Sequence, residues 1–301
     1  MKNAKKWALT GLVLFVIGLV LAGAAFVRAD FDFENLMSQN IIEKTYKPEG
    51  EFDKIVINIV NADVIFAHAE DGKTRVEIHE IEKIPHFVQI TDGTLEITSR
   101  DTREWLDRIG FFGSKTSVKV YLPKDSYESA FVMTLTGHIS IPSGFSFQNL
   151  DACTSTGKLS VSGVSSENIN LTGTTGRIIL TDIDVQNELT AHMTTGDISI
   201  KNLKAQKMTA STTTGDVMMN NVLIDDLCSV KATTGDITFR ETDAGEVHMK
   251  CTTGDIEGSF LTEKKFTAKA TTGHVSVPNT QSGGLCTVTT TTGHIQITIG
   301  G

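Results

Sequence analysis

Thr194-Thr195-Gly196-Asp197-Ile198 returns as Thr213-Thr214-Gly215-Asp216-Val217, then as Thr233-Thr234-Gly235-Asp236-Ile237 and Thr252-Thr253-Gly254-Asp255-Ile256. The steps between these glycines are 19, 20 and 19 residues. Working outward, the beat reaches Gly176, Gly157 and Gly137 on one side and Gly273 and Gly293 on the other. A threonine precedes each of the nine glycines, and an aliphatic residue stands two after each, from Ile139 to Ile295. A period this regular marks a repeat architecture, in which each unit buries its apolar face against its neighbours.

Aligning the repeats on the glycine exposes further columns. Five before it stand Val132, Ala152, Leu171, Ala191, Ala210, Val230, Met249, Ala268 and Val288. Four after it stand Ile141, Val161, Leu180, Ile200, Met219, Phe239, Gly258, Val277 and Ile297. Polar residues fill the positions between, which is the two-residue period of half-buried strands. Each unit is thus a strand, a T-T-G turn and a second strand, with glycine supplying the positive φ of a sharp corner. Residues 126–301 are expected to form a right-handed parallel β-solenoid, or β-helix, of about nine 19–20-residue turns. At about 4.8 Å per turn the rod would be roughly 43 Å long.

Residues 30–125 alternate in the same way but lack the glycine beat, as in Lys54-Ile55-Val56-Ile57-Asn58-Ile59 and Ser117-Val118-Lys119-Val120-Tyr121-Leu122. Asp92-Gly93 between two such runs reads as a hairpin turn. This region reads as a β-rich cap over the first turn. Within it, Asp101 to Gly113 breaks the alternation with Trp105, Leu106, Ile109, Phe111 and Phe112. That stretch reads as a short amphipathic helix or loop on the cap, buried as a plug, with a membrane- or partner-touching loop as the alternative.

Residues 1–29 differ again. Ala8 to Val27 carry no charge over twenty positions, enough helix for a hydrocarbon core of about 30 Å. Lys2, Lys5 and Lys6 precede the stretch, and Asp30, Asp32 and Glu34 follow it. The positive-inside rule gives a single-pass signal-anchor in the cell membrane, with a cytoplasmic N-terminus and an extracellular C-terminal domain. Ala22-Gly23-Ala24 also offers a small-residue cleavage site, the signal-peptide alternative. Both readings export the β region. Lys2, Lys5 and Lys6 aside, 24 Lys and Arg face 36 Asp and Glu, a net of −12. Such a surface repels phosphate backbones and so excludes nucleic acid as a partner.

The T-T-G-D-[IV] beat, with the strand end Val120-Tyr121-Leu122-Pro123 before it, resembles the bacterial adhesin-like β-strand-repeat family of the Gram-positive cell envelope, over roughly residues 50–299. The resemblance implies a β-solenoid in the envelope, often held by one helix. The family is a domain of unknown function and offers no catalytic residues to carry over.

Several columns bear on chemistry. After the glycines stand His138, Lys158, Arg177, Asp197, Asp216, Asp236, Asp255, His274 and His294. Asp197, Asp216, Asp236 and Asp255 would stack about 4.8 Å apart, a candidate weak Ca²⁺ site and the sole cofactor that the sequence suggests. The competing reading is Gly-Asp turn chemistry on a solvated face. His274 and His294 stack too, without a third metal ligand. The threonine columns form hydroxyl ladders that hydrogen-bond locally or present a surface to a glycan. Cys228 and Cys286 share a column three turns apart, too far for a disulfide, and Cys153 faces outward. The strand Ile295–Ile299 closes the sequence, so an open edge there is expected to pair end-to-end with a second copy or another envelope protein. No Ser/His/Asp or Cys/His set can be placed. The sequence therefore reads as a non-enzymatic interaction module: an adhesin-like protein, envelope scaffold or stress-sensing component with a cell-envelope protein or glycan as partner. The alternative is a polysaccharide-acting β-helix enzyme.

Overall fold

The computed structural model describes residues 41–102 and 116–300, preceded by helical residues 11, 13–21, 23, 24 and 27. Most of the expected plug, including Trp105 and Phe112, lies outside the described residues. Among the described residues no helix is long and apolar enough to cross a membrane.

The T-T-G repeats stack as parallel rungs. β10 (Ser146–Ser162) pairs with β11 (Ser165–Thr214) so that Gly157 lies opposite Gly176 and Leu159 opposite Ile178. β11 continues onto β12 (Val217–Thr234), and β12 onto β13 (Ile237–Thr253), each in the same glycine-aligned register. The inward columns form one continuous core. Leu171, Leu180, Leu189, Ile198, Met208, Val217, Cys228 and Ile237 are all fully buried. Burying each such side chain contributes roughly 1.5–3 kcal/mol, and identical columns repeat that gain in every rung.

The rungs of β11, β12 and β13 show how the difference between 19 and 20 residues is absorbed. Ala205 faces Ile224, 19 residues on, whereas Lys207 faces Leu227, 20 on. In the next pair Ile224 faces Ala244, 20 on, and Leu227 faces Glu246, 19 on. In these rungs one extra residue is absorbed as a bulge away from the T-T-G corner, which stays in register. Another corner lies six residues after the glycine. Asp182, Asn202, Asn221 and Glu241 all have φ between 49° and 56° there. Asn and Asp tolerate this left-handed conformation better than other side-chain-bearing residues. Asn202 Nδ2 donates to Asp182 Oδ1 (2.6 Å) and Asn221 Nδ2 to Asn202 Oδ1 (3.0 Å), forming an amide ladder along this corner.

The ends of the rod depart from chain order. At the C-terminal end, β13 and β14 (Ile256–Phe260) pair with the last strands of the chain, β17 (Gly284–Thr292) and β18 (Ile295–Ile299). β15 (Lys264–Thr272) and β16 (Val275–Ser276) come earlier in the chain yet stack outside them. The outermost edge is therefore β15 and β16, not the expected Ile295–Ile299. That strand is held by β14 along its length and by β16 at Ile295 and Gln296. The two rungs differ in burial. Cys286, Val288, Ile295 and Ile297 are at most 3% exposed in the inner rung, while the outer rung leaves Ala268 and Ala270 half-covered.

The N-terminal region does more than cover the first turn. β2 (Lys54–Asn61) and β3 (Asp63–His68) form a parallel rung against β8 (Ser126–Thr136) and β9 (Ile139–Ile141). β6 (Thr94–Ser99) and β7 (Ser117–Leu122) stack outside β2 and β3 as a further rung. Here too the first rung in the chain is the second in the stack. Antiparallel strands close this end: β5 (His86–Thr91) on β6, and β4 (Arg75–Ile81) on β7, with β1 (Ile41–Tyr46) on β4. Asp92 and Gly93, both at positive φ, make the expected hairpin between β5 and β6.

Candidate functional site

The T-T-G corner carries the columns that the sequence singled out. At Gly196, φ is 135°, and a Cβ would run into the carbonyl oxygen of Gly176 in the rung below. Only glycine lets the two backbones approach so closely. The corner's main chain is bonded between rungs, as in Gly215 N–H to Thr234 O (2.9 Å) and Ile198 N–H to Asp216 O (2.9 Å). The amide between them, on the residue after the glycine, takes a side chain as acceptor.

The aspartate column supplies those acceptors. Asp197 Oδ1 accepts from Asp216 N–H (3.1 Å), Asp216 Oδ1 from Asp236 N–H (2.8 Å) and Asp236 Oδ1 from Asp255 N–H (2.8 Å). Asp255 Oδ1 accepts from His294 N–H (2.6 Å), since the inner C-terminal rung is next in space. Histidines serve the same purpose at the ends. His138 Nδ1 accepts from Lys158 N–H (2.8 Å), and His294 Nδ1 from His274 N–H (3.0 Å). His294 thus spends one ring nitrogen on the backbone. Arg177 Nη2 donates to Asp197 Oδ2 (3.0 Å), placing a cation at the foot of the carboxylate column. Asp216, Asp236 and Asp255 keep Oδ2 for solvent or a cation, whereas Asp197 gives its Oδ2 to Arg177. Among the described residues no group of three or more His, Cys, Asp or Glu is gathered closely enough to hold a metal ion.

The structure adds one member to this column. Asp63 Oδ1 accepts from His138 N–H (2.7 Å), so Asp63 does for the β2–β3 rung what Asp197 does later. Its corner residue is Ala62, whose carbonyl is the one that a Cβ on Gly137 would strike. Searching for glycine hides this rung, whereas searching for an acid followed by an aliphatic, as in Asp63-Val64, reveals it.

The threonines divide by position. Those next to the glycines, from Thr136 to Thr292, are exposed. Those three before the glycine point inward and donate to the carbonyl of the preceding corner: Thr154 to Gly137 O (3.1 Å) and Thr212 to Gly196 O (3.0 Å). Thr290 donates to Gly254 O (3.1 Å), and Cys251 fills the same slot with its thiol on Gly235 O (3.2 Å).

All four cysteines are free thiols. Cys228 and Cys286 lie closer than chain order suggests, because Val247 alone separates them: it pairs with Cys228 on one side and Cys286 on the other. Two rung spacings, about 9.6 Å, still exceed disulfide reach. Burial pushes both thiols up to about 12, with the two sulfurs acting on each other at Cys228. Cys153 is half-buried, as an outward position on a strand allows.

Two further polar features sit at the N-terminal end. A cleft of about 760 Å³ is lined by residues including Lys47, Glu49, Glu51, Asp71, Lys73 and Lys124. Its lining mixes acids and bases and also includes Thr74 and Arg75. Nearby, Glu80 is fully buried with His86. Glu80 Oε2 accepts from His86 N–H (2.6 Å) and Nδ1 (2.8 Å), while Oε1 lies 2.5 Å from Lys44 Nζ. His86 Nε2 is buried without a hydrogen-bond partner. Burial therefore outweighs the nearby carboxylate and holds the His86 pKa below its usual value.

A family model described as Toastrack DUF4097 matches residues 52–238 and again residues 184–301. The chain belongs to this family. Two matches on one chain follow from the repetition, since rungs 184–238 serve as the end of one Toastrack match and the start of the next. A Bacteroides fragilis structure named a "putative adhesin" is 18% identical, with a TM-score of 0.50 over 87% of this chain and 98% of that one. A Parabacteroides distasonis structure named a "putative lipid binding protein" is 11% identical, with a TM-score of 0.52 over 87% and 97%. At these identities the likeness is one of fold. No curated protein matches the chain. The adhesin-like resemblance read from the T-T-G-D-[IV] beat and the Toastrack match point to the same family of unknown function.

Proposed function

We propose that this Toastrack chain is a non-enzymatic interaction module of the cell envelope: a right-handed rod, anchored in the cell membrane by its N-terminal helix and presented outside. It engages an envelope protein or glycan as an adhesin-like, scaffold or stress-sensing component. The constancy of the rungs carries this reading. From Gly137 to Gly254 the step never departs from 19 or 20 residues, and one-residue bulges absorb the difference. A polysaccharide-acting enzyme on such a scaffold needs long loops to wall a substrate groove and clustered acids to work in it. Here the acids of the corner column are spread one per rung and tied to backbone amides.

Two observations support the anchor. Phe15, Leu19, Val20 and Leu21 lie on helical backbone and are 58–65% exposed, which suits a lipid surround better than water. The flanking charges Lys2, Lys5 and Lys6 favour a cytoplasmic N-terminus. Asp216, Asp236 and Asp255 offer their second oxygens to Ca²⁺, a weak site on this reading, and Asp197 joins them only by releasing Arg177.

The test combines topology and turnover. Asp236→Cys in a chain whose own cysteines are alanine is expected to react with an impermeant maleimide on intact cells, and the chain to stay in carbonate-washed membranes. Purified full-length chain is expected to release no product from polyuronates or peptidoglycan fragments. Labelling only after permeabilisation would overturn the topology, and product formation would restore the enzyme reading.

A further inference from the structure

The rod's two ends are not equivalent. At the N-terminal end the outer strands β1 and β5 are antiparallel, each paired along one edge, with β4 and β6; at the C-terminal end the outer strands are parallel, β15 paired along one edge with β17 and β16 with β18. Among the described residues no strand lies on the other edge of β15. The inward columns show the consequence. Phe266, Ala268, Ala270, Val275 and Val277 are half-buried and pack on the core from one side. Their counterparts one rung inward, Cys286, Val288, Thr290, Ile295 and Ile297, are at most 3% exposed. An edge of this kind is a template for one more strand: its unpaired amides and carbonyls supply affinity, and its alternate side chains supply selectivity.

Charge says which strand. The chain is acidic overall at −9, yet from Lys264 to Gly283 it has three lysines and no Asp or Glu. Lys264 is neutralised inside, its amine bonded to Asp243 and to Thr262 (2.8 Å). Lys265 and Lys269 are exposed on the outward side of the edge strand. A second copy docking by the same edge would bring the same two lysines onto one face, and like charges across a strand pair are destabilising. Lysine at an edge is a known guard against self-pairing.

We propose that β15 is a docking edge for an extended segment of a partner protein in which acidic and large apolar residues alternate. This deepens the reading of the rod as an interaction module and rests on it. The acidic residues would meet Lys265 and Lys269 outside. The apolar ones would cover Phe266, Ala268 and Ala270, where Ala268 leaves room that valine, methionine or leucine fills in some rungs and alanine leaves in others. Pro278, which has no amide to donate, follows β16 by two residues and confines the ladder to about the length of Lys264–Thr272.

The test uses the full chain in detergent micelles and three synthetic nine-residue peptides. One alternates Asp or Glu with Ile or Phe, one has lysines in place of the acids, and one has the acidic composition in blocks. The alternating acidic peptide is expected to bind and to slow amide exchange over 264–272 alone. The double variant Lys265→Glu, Lys269→Glu is expected to weaken it at least tenfold and to gain affinity for the lysine peptide. Equal binding of all three peptides, protection elsewhere, or no binding at millimolar peptide would overturn the proposal. So would sedimentation showing a dimer through β15 that the peptide does not displace. If no peptide binds while other faces of the rod still crosslink to a protein in cells, the docking edge falls and the interaction module stands.

Discussion

The stacking order at the C-terminal end can be trapped covalently. With the native cysteines replaced by alanine, His248→Cys and Thr287→Cys put thiols on residues in direct register, as do Thr267→Cys and Thr287→Cys. Register neighbours in adjacent parallel strands lie about 4.8 Å apart, inside the range that a disulfide spans. His248 and Thr267 would be neighbours if rungs followed chain order. In the structure the rung of Thr287 stands between them, so they lie about 9.6 Å apart, beyond reach. Under mild oxidation the 248–287 and 267–287 pairs should close, and the 248–267 pair should stay reduced. Non-reducing electrophoresis and peptide mapping read the result. Closing 248–287 ties a loop of about 40 residues, worth up to about 4 kcal/mol of unfolded-state entropy, so the oxidised variant should also melt higher. Rapid closure of 248–267 with no closure of 248–287 would refute the inverted order and restore Ile295–Ile299 as the terminal edge.

Other expectations follow from single contacts. Gly235→Val forces a branched residue to φ 132° and drives its Cβ into Gly215 O; backbone strain alone costs about 1–3 kcal/mol, and a lowered denaturation midpoint would register it. Asp236→Ala leaves the Asp255 amide without its acceptor and should cost about 0.5–1.5 kcal/mol, whereas Asp236→Asn keeps an oxygen there and should cost less in the same denaturation assay. His86 has a lowered folded-state pKa, so below the ordinary histidine value of about 6.5 the unfolded chain takes up a proton that the folded chain refuses. The stability from neutral His86 is thus complete above about pH 6.5 and is lost as pH falls through it. Melting between pH 7.5 and 5.5 should show this slope, and His86→Gln should flatten it. In the native state Cys153 should be the first thiol alkylated, as Cys228, Cys251 and Cys286 are buried. Calcium titration of the full chain should give a small rise in melting temperature that Asp216→Asn with Asp236→Asn removes; no rise at millimolar calcium would remove the cation from the proposal.

The solenoid was legible because its period survives in residues that physics makes hard to replace. A Cβ at any T-T-G glycine would strike the backbone of the neighbouring rung, so the beat is preserved. Three features were not legible. The β2–β3 rung is masked by Ala62 in the glycine position, and only Asp63 betrays it. The left-handed corner at Asp182, Asn202, Asn221 and Glu241 is written in residues common in any loop, although their six-residue offset from the glycine could have exposed it. The inverted order at the ends leaves no local mark. Cys286 and Phe266 share a column, as do Ile295 and Val275, and alignment fits either stacking. The choice emerges only from the strand pairings. The aspartate column was legible as a column, and its bonding to the next rung's amides required the backbone geometry.

The most direct test of the account is photocrosslinking in living cells from two positions, Lys269 on the outer edge strand and Asp216 on the corner column. An interaction module that docks a partner strand at its open end predicts one discrete protein adduct from position 269, weakened by Lys265→Glu, and little from position 216. Glycan smears from both positions, or the same adduct pattern from each, would contradict a dedicated docking edge and leave a rod that binds along its length.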